Sequence, residues 1–268
     1  MKYPRCGSDL DGAKHGEGAA TTNSLQSPPC SWRTWLGAIL VCHAASLSAL
    51  ALDSLVVPNG LETKDGDLSD NFVPFNLGSP VRYQQDYGAS QFTATGGPML
   101  IKEIRFRNDA DLGRPFDVIL PDVQISLSTT RVAPSALSVF FARNIGPNET
   151  EVFPRGPLHL RSQSLGFDIV IGLADPFLYN PSEGNLLMDI KYYGSVATIS
   201  RMDAQGANSS KGTTSGVFSG STQSTFGELT GTGLVTQFIY DPVPEPSLTC
   251  LFLAISFALA IRKTICTR

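Results

Sequence analysis

The central part of the chain lacks both cysteine and tryptophan. All five cysteines lie towards the two ends of the sequence, at Cys6, Cys30, Cys42, Cys250 and Cys266. Residues 52–246 therefore have no thiol for catalysis, for a disulfide or for a thiolate metal site. Both tryptophans, Trp32 and Trp35, also precede this part. Its length is that of one ordinary domain, and that domain must be stabilised by its hydrophobic core.

Histidine and positive charge are also scarce. Residues 52–246 contain one histidine, His159, and carry 21 Asp or Glu against 13 Lys or Arg, a formal charge of −8. An acidic surface without a basic aromatic groove predicts that nucleic acid is not a partner. His159 lies between two leucines, so period-two alternation places it on the solvent side of a strand. One exposed imidazole does not supply a catalytic triad or a histidine zinc site.

Three chemically different segments follow one another at the C-terminal end. The first is a proline-rich motif formed by Val243, Pro244, Glu245, Pro246 and Ser247. Its prolines remove backbone donors and favour extended conformations, so the motif should stay exposed and non-helical. An apolar run over residues 248–261 comes next and is shorter than the roughly 20 residues of a comfortable membrane span. Arg262 and Lys263 then form a basic stop.

The N-terminal end has the features of an export signal. Residues 35–52 form an apolar run that follows Arg33, and Ala49 and Ala51 supply an A-x-A cleavage pattern. We predict that signal peptidase cleaves after Ala51. Residues 1–34 are either a long n-region of the signal peptide or a segment that is not translated, because the true translation start lies downstream of Met1. The small residues at the end of the run favour a cleavage site over a permanent anchor.

The motif, the apolar run and the basic end over residues 243–268 together resemble the PEP-CTERM sorting signal of exported bacterial proteins. Residues 82–85, 125–130, 175–179 and 184–187 are also similar in type to segments of other proteins in this class. The resemblance implies processing by an exosortase, transit through the inner membrane, and delivery to the cell surface or extracellular matrix. The implied source is a Gram-negative bacterium that makes exopolysaccharide. The resemblance implies no reaction.

The body of the chain shows the alternation typical of strands. Short runs with apolar residues at every second position are separated by clusters of Gly, Pro, Asn and Asp. These runs are residues 81–87, 100–107, 123–128, 137–141, 150–153, 158–161, 167–171, 186–192, 196–201 and 234–240. They predict an all-β fold with a single antiparallel β-sandwich, jelly-roll-like in its connections, with a closed barrel as the alternative.

The predicted organisation has four parts. Residues 1–51 are the signal peptide with its long n-region, residues 52–80 are irregular, residues 81–241 are the sandwich, and residues 242–268 are the sorting signal with a short transmembrane segment. Residues 206–233 contain 7 Gly and 12 Ser or Thr. This composition predicts a flexible surface loop or a weak hairpin pair outside the core.

Carboxylates are the main candidates for chemistry in the body. Five of them fall in predicted strands or directly before one, namely Asp86, Glu103, Asp122, Asp168 and Asp189. A glycosidase needs two carboxylates that face each other across a cleft. Acids are also common on the wet side of a sheet, and we predict that these five are of that kind.

Calcium and sugar are the remaining candidate ligands. Residues 65–71 offer oxygens at alternate positions, and residues 175–185 form a polar turn, but turn chemistry accounts for both loops. We predict no metal or other cofactor and leave calcium as an open alternative. Tyr192 and Tyr193 must point to opposite sides if both lie in a strand, so one of them should be exposed and available for a sugar.

The sequence thus predicts a non-enzymatic exported protein of the cell surface or extracellular matrix. Its partners in export would be signal peptidase and exosortase, and the precursor would be associated transiently with the inner membrane. The alternative is a carbohydrate-binding or carbohydrate-active β-sandwich module that acts on exopolysaccharide.

Overall fold

The computed structural model describes residues 52–68, 71–198, 200–206 and 212–243. Several predictions fall outside these residues. They concern the signal peptide with Ala49 and Ala51, the motif from Pro244 to Ser247, the apolar run, and the basic stop at Arg262 and Lys263. No helix in the described ranges is long and apolar enough to cross a membrane.

Antiparallel strands dominate the described residues. The strands are β1 Asp53–Val57, β2 Val81–Tyr87, β3 Met99–Phe106, β4 Phe116–Thr130, β5 Thr150–Ser162, β6 Ile169–Tyr179, β7 Asn185–Tyr192, β8 Ala204–Gln205, β9 Thr214–Ser219, β10 Glu228–Leu229, β11 Gly233–Leu234 and β12 Thr236–Pro242. Short 3-10 helices cover Ala89–Thr95, Pro134–Ala136 and Phe141–Arg143. The prediction of an all-β fold with antiparallel sheets is confirmed.

The strands form two larger sheets and one small one. A four-stranded sheet has the order β1-β12-β3-β6, a six-stranded sheet has the order β10-β9-β2-β7-β4-β5, and β11 pairs with β8. Alternate residues of both larger sheets belong to the same hydrophobic core. The core therefore lies where the two sheets contribute their apolar sides, as the alternating sequence pattern requires.

Aromatic side chains join the two larger sheets at the centre of this core. Phe238 of β12 meets Tyr87 of β2 edge to face, with ring centroids 5.1 Å apart. Phe92, from the 3-10 helix after β2, lies 5.7 Å from Phe238 and 4.9 Å from Tyr179 of β6. All four rings are buried. A strand from one sheet is thereby packed against a strand from the other through aromatic pairs.

Two segments predicted to be outside the sheets belong to them. Asp53–Val57, in the part predicted to be irregular, forms β1 and pairs with β12. Thr214–Ser219, in the part predicted to be a loop, forms β9 between β10 and β2, and its Val217 is fully buried. Its pairing with β10 is the hairpin that the sequence offered as an alternative. The four-stranded sheet therefore includes a strand that precedes residues 81–241, the part predicted as the sandwich.

Two predicted strands are wrong. Residues 137–141 do not continue a strand, because Pro134 starts a 3-10 turn and the Asn144 side chain bonds both backbone groups of Ser138. Of residues 196–201, those described lie in no named strand. The Tyr192 hydroxyl there contacts the N–H and the carbonyl oxygen of Val196. Side chains thus satisfy backbone groups that a ladder would otherwise use.

Candidate functional site

The first and last described strands lie side by side in the four-stranded sheet. β1 and β12 run antiparallel with Asp53 opposite Tyr240, so the start of β1 is next to the end of β12. Val243, the first residue of the proline-rich motif, is partly exposed and donates its N–H to the Pro98 carbonyl oxygen at 3.0 Å. The first residue of β1 and the last residues of β12 therefore lie at one corner of one sheet.

Three of the five predicted acids form ion pairs with arginines. The pairs are Glu103 with Arg105 at 2.5 Å, Asp122 with Arg155 at 2.7 Å, and Asp189 with Arg82 at 2.6 Å. The Asp122 pair is exposed, whereas the Asp189 side chain is 3% exposed. Glu103 lies in the four-stranded sheet, and the other two acids lie in the six-stranded sheet. These partners give each of the three acids a structural role.

Asp168 holds a turn and does not lie in a strand. It accepts hydrogen bonds from the Ser162 hydroxyl, from the Ser164 hydroxyl, and from the backbone N–H groups of Gln163 and Ser164. Burial acts to raise the pKa of Asp168, but these hydrogen bonds outweigh it and hold the pKa below its usual value. Asp168 is therefore an ionised turn cap between β5 and β6.

Asp86 is the most unusual of the five acids. Its side chain is fully buried, and neither carboxylate oxygen accepts a well-formed hydrogen bond among the described residues. It lies opposite Leu187 of β7 and Ser215 of β9, on the side of the six-stranded sheet away from the main core. Burial raises the pKa of Asp86 to about 8. The Tyr87 backbone amide lowers this pKa, but its effect is smaller than that of burial.

A buried polar network fixes the connection between β4 and β5 over this outer side. Gln84 donates its amide to Asp189 at 2.8 Å and to the Phe141 carbonyl oxygen at 3.2 Å. Asn144 donates to Gln84 at 2.9 Å. The Arg82 guanidinium lies 4.5 Å from the centre of the Phe141 ring. Residues 131–149, which we call the strap, are thus attached to the outer side of the sheet.

A groove opens beside the strap, at the end of β4. It has a volume of about 800 Å³ and lies between the strap and the turn that joins β6 to β7. Its polar lining includes Thr130, Arg131, Arg143, Asn148, Ser182 and Glu183. None of the five predicted acids is in this lining. Ser182 and Glu183 come from the turn that the sequence singled out as polar.

His159 and Tyr193 are at least partly exposed, and each contacts another side chain. His159 is exposed, as predicted, and its Nε2 is 2.5 Å from the Asp117 carboxylate on the neighbouring strand. Tyr192 is buried and Tyr193 is partly exposed. The Arg155 guanidinium covers the Tyr193 ring at 3.7 Å from its centre. One face of that ring is therefore occupied by a side chain of the protein.

Three aspartates from distant parts of the chain come together at another place. Asp65 lies between β1 and β2, Asp109 between β3 and β4, and Asp203 just before β8. An oxygen of each lies within 4.8 Å of oxygens of the other two. Asp65 belongs to the first loop considered for calcium, but no local pattern distinguishes Asp109 or Asp203. Only the long-range pairing of the chain brings the three together.

The same three aspartates, which we call the aspartate cluster, also organise the backbone around them. Asp109 Oδ1 accepts the N–H groups of Asp111 and Leu112 at 3.0 and 2.7 Å. Asp203 Oδ1 accepts the N–H of Gly66 at 2.7 Å. Burial raises the pKa of Asp203 to about 6. Burial also raises the pKa of Asp109.

Arg107 provides the positive charge beside this cluster. Its Nε donates to Asp203 Oδ2 at 2.7 Å, and both groups are buried. The guanidinium also donates to the carbonyl oxygens of Glu62 and Lys64. The Arg107 guanidinium therefore fastens the connection before β2 to the segment before β8.

Comparison with known proteins finds no matching family model, no similar curated protein and no similar solved structure.

Proposed function

We propose that this chain is a non-enzymatic exported protein of the cell surface or extracellular matrix, sorted by an exosortase through its PEP-CTERM-like tail. One observation carries the proposal. β1 begins at Asp53, two residues after Ala51, and β12 ends at Pro242, immediately before Val243. Cleavage at both predicted positions would remove no strand of the described fold.

The position of the two ends also suits sequential processing. Because β1 and β12 are neighbours, the start of β1 and the end of β12 lie at the same corner of the four-stranded sheet. The two predicted cleavages would therefore act on segments that are joined to neighbouring strands. The ion pairs of Glu103, Asp122 and Asp189 support the non-enzymatic part of the proposal, since they assign these acids to sheet stabilisation.

The architecture that we propose for the domain is one β-sandwich with jelly-roll-like connections. Two antiparallel sheets share one core, which is the layer arrangement of a sandwich. The signal peptide and the C-terminal sorting helix are part of the same proposal.

Intact-mass analysis of the protein from its host tests the proposal. We expect the mature protein to begin at Leu52 and to end within residues 244–247. Replacing Pro244, Glu245 and Pro246 together by alanine should leave the whole tail on the protein and keep it in the membrane fraction. The reason is that a protease which reads the motif would lose both the kinked backbone and the carboxylate.

The strap offers a matched control with similar residues. Pro147 and Glu149 are exposed and have the same spacing as Pro244 and Pro246. Changing both to alanine should leave both new ends and the surface location unchanged. An intact tail in surface-located wild-type protein would contradict the proposal, and so would normal processing of the triple variant.

A carbohydrate-binding module is the second function we propose, and the groove beside the strap supports it. Arg131 and Arg143 are among the residues that line a cavity large enough for a sugar unit. Planar guanidinium groups recognise carboxylates through paired hydrogen bonds, so a polysaccharide that contains uronic acids is the fitting ligand.

A glycan array of the full chain in detergent decides this second function. We expect binding to uronic-acid glycans, reduced roughly tenfold by Arg131→Ala because one guanidinium contact is lost. Arg161→Ala, an exposed arginine on β5, is the control and should bind like the wild type. The proposal that the groove binds sugar would be contradicted if the Arg131→Ala variant bound glycans as well as the wild type does. It would also be contradicted if the wild type bound no glycan.

A further inference from the structure

Asp109 has an oxygen for which the described protein provides no partner. Its Oδ1 accepts two backbone N–H groups, but its Oδ2 is buried and accepts no hydrogen bond from any described residue. The whole Asp109 side chain is 0% exposed, so water does not reach this oxygen freely. A buried carboxylate oxygen without a donor is costly unless something positive meets it.

The charges around Asp109 do not balance within the aspartate cluster. Asp65, Asp109 and Asp203 bring three carboxylates together, and Arg107 is the cation bonded to one of them. When all four groups are ionised their sum is −2, which matches one divalent cation. Asp65 is exposed and so leaves an entry path for an ion from solvent.

The oxygens that remain available suit a hard cation. Asp65 Oδ2 accepts one N–H, from Ala110 at 3.1 Å, and a carboxylate oxygen has capacity for a second interaction. All the ligand atoms are oxygens and none is nitrogen or sulfur, which disfavours zinc and copper. They come from three separate irregular segments, and calcium accepts such flexible, high-coordination surroundings better than magnesium does.

We propose that Asp65, Asp109 and Asp203 bind a calcium ion. The ion would meet the free Oδ2 of Asp109 and would join three connections of the chain. Each of these connections leaves a different pair of strands, so the bound ion would brace parts of the chain that are far apart in sequence. A site with one exposed ligand is expected to bind calcium in the range of extracellular modules, about 10⁻⁴–10⁻³ M.

Titration calorimetry of the full chain in detergent with CaCl₂ is the test. We expect one calcium per chain, and a rise in the midpoint of thermal unfolding of about 3–6 °C at ten times the dissociation constant. Asp109→Asn should weaken binding roughly tenfold or more, since it removes the charge of a buried ligand but keeps the side-chain shape. Asp65→Asn should act in the same direction, and because Asp65 is exposed this variant tests the site even if Asp109→Asn folds poorly.

Asp175→Asn is the matched control, since Asp175 is an exposed aspartate from the other loop that the sequence suggested for calcium. Its calcium affinity should equal that of the wild type. The proposal is overturned if the wild type takes up no calcium at about 10 mM, a concentration above the expected range. It is also overturned if both cluster variants bind calcium normally, if Asp175→Asn is the variant that abolishes binding, or if MgCl₂ binds as tightly as CaCl₂.

Discussion

The Asp86→Asn variant is expected to lose less stability than the wild type when the pH rises from about 5 to about 9. In the wild type, folding raises the pKa of Asp86 to about 8, mainly through burial. Between the unfolded and folded pKa values, the folded state holds a proton that the unfolded state has lost. The contribution of Asp86 to the free energy of unfolding is therefore fully present below about pH 4. It falls by roughly 1.4 kcal/mol per pH unit until the pH reaches the folded pKa.

The measurement is the midpoint of thermal unfolding of both proteins across this pH range. Asparagine cannot ionise, so the difference in midpoint should grow with pH and level off above about pH 8. The pH slope is the decisive quantity, because asparagine brings two donors into the same dry site and changes the absolute stability as well. Glu149→Gln, an exposed change on the strap, should keep the wild-type slope. Parallel curves for Asp86→Asn and the wild type would contradict the prediction.

Phe238→Ala is expected to lower the free energy of unfolding by about 3–5 kcal/mol. Phe238 is fully buried and joins the two larger sheets through its edge-to-face contact with Tyr87 and its contact with Phe92. Its loss would leave a cavity in the middle of the core and remove two aromatic pairs at once. Because natural domains are stable by only about 5–15 kcal/mol, this variant should lie near the limit of folding.

Chemical denaturation followed by far-UV circular dichroism measures this loss. Phe226→Ala provides the control, since Phe226 is 60% exposed and its removal opens no cavity. That variant should unfold within about 0.5 kcal/mol of the wild type. Similar losses for the two phenylalanines would show that the contact between the sheets is not the centre of the core.

Local alternation predicted strands that turn an apolar side to the core. β2 has the bounds that the sequence indicated, with Tyr83 and Tyr87 facing the core, although Gln84 and Asp86 on its other side are also buried. β9 could not be predicted in this way. Its Thr, Ser and Gly residues carry little hydrophobic signal, and they form a strand because β2 and β10 supply hydrogen bonds on both sides.

The candidate sites show the same limit. The sequence identified Asp65 and Asp189 as acids of interest, but the partners that define their roles lie elsewhere in the chain. Asp189 is paired with Arg82, and Asp65 meets Asp109 and Asp203. Single positions can be found by residue type, whereas a cluster depends on sheet register, which is a long-range property. The opposite holds for the two ends of the chain. The proposed export and sorting signals there consist of residues that are adjacent in the sequence, so they can be recognised without knowledge of the fold.

The neighbouring positions of β1 and β12 have a consequence for the order of folding. Among the strands of the described residues, β1 is the first to be synthesised, and the strand that pairs with it is the last. Closing so long a loop is slow, and the ladder between them cannot be completed before ribosomes have translated Tyr240, the last residue of β12 that pairs with β1. Until then β3 has an open edge where β12 will bind, so a chain arrested before its last strand presents an unpaired template for aggregation. The completed ladder between β1 and β12 can therefore form only after the last described strand has been translated.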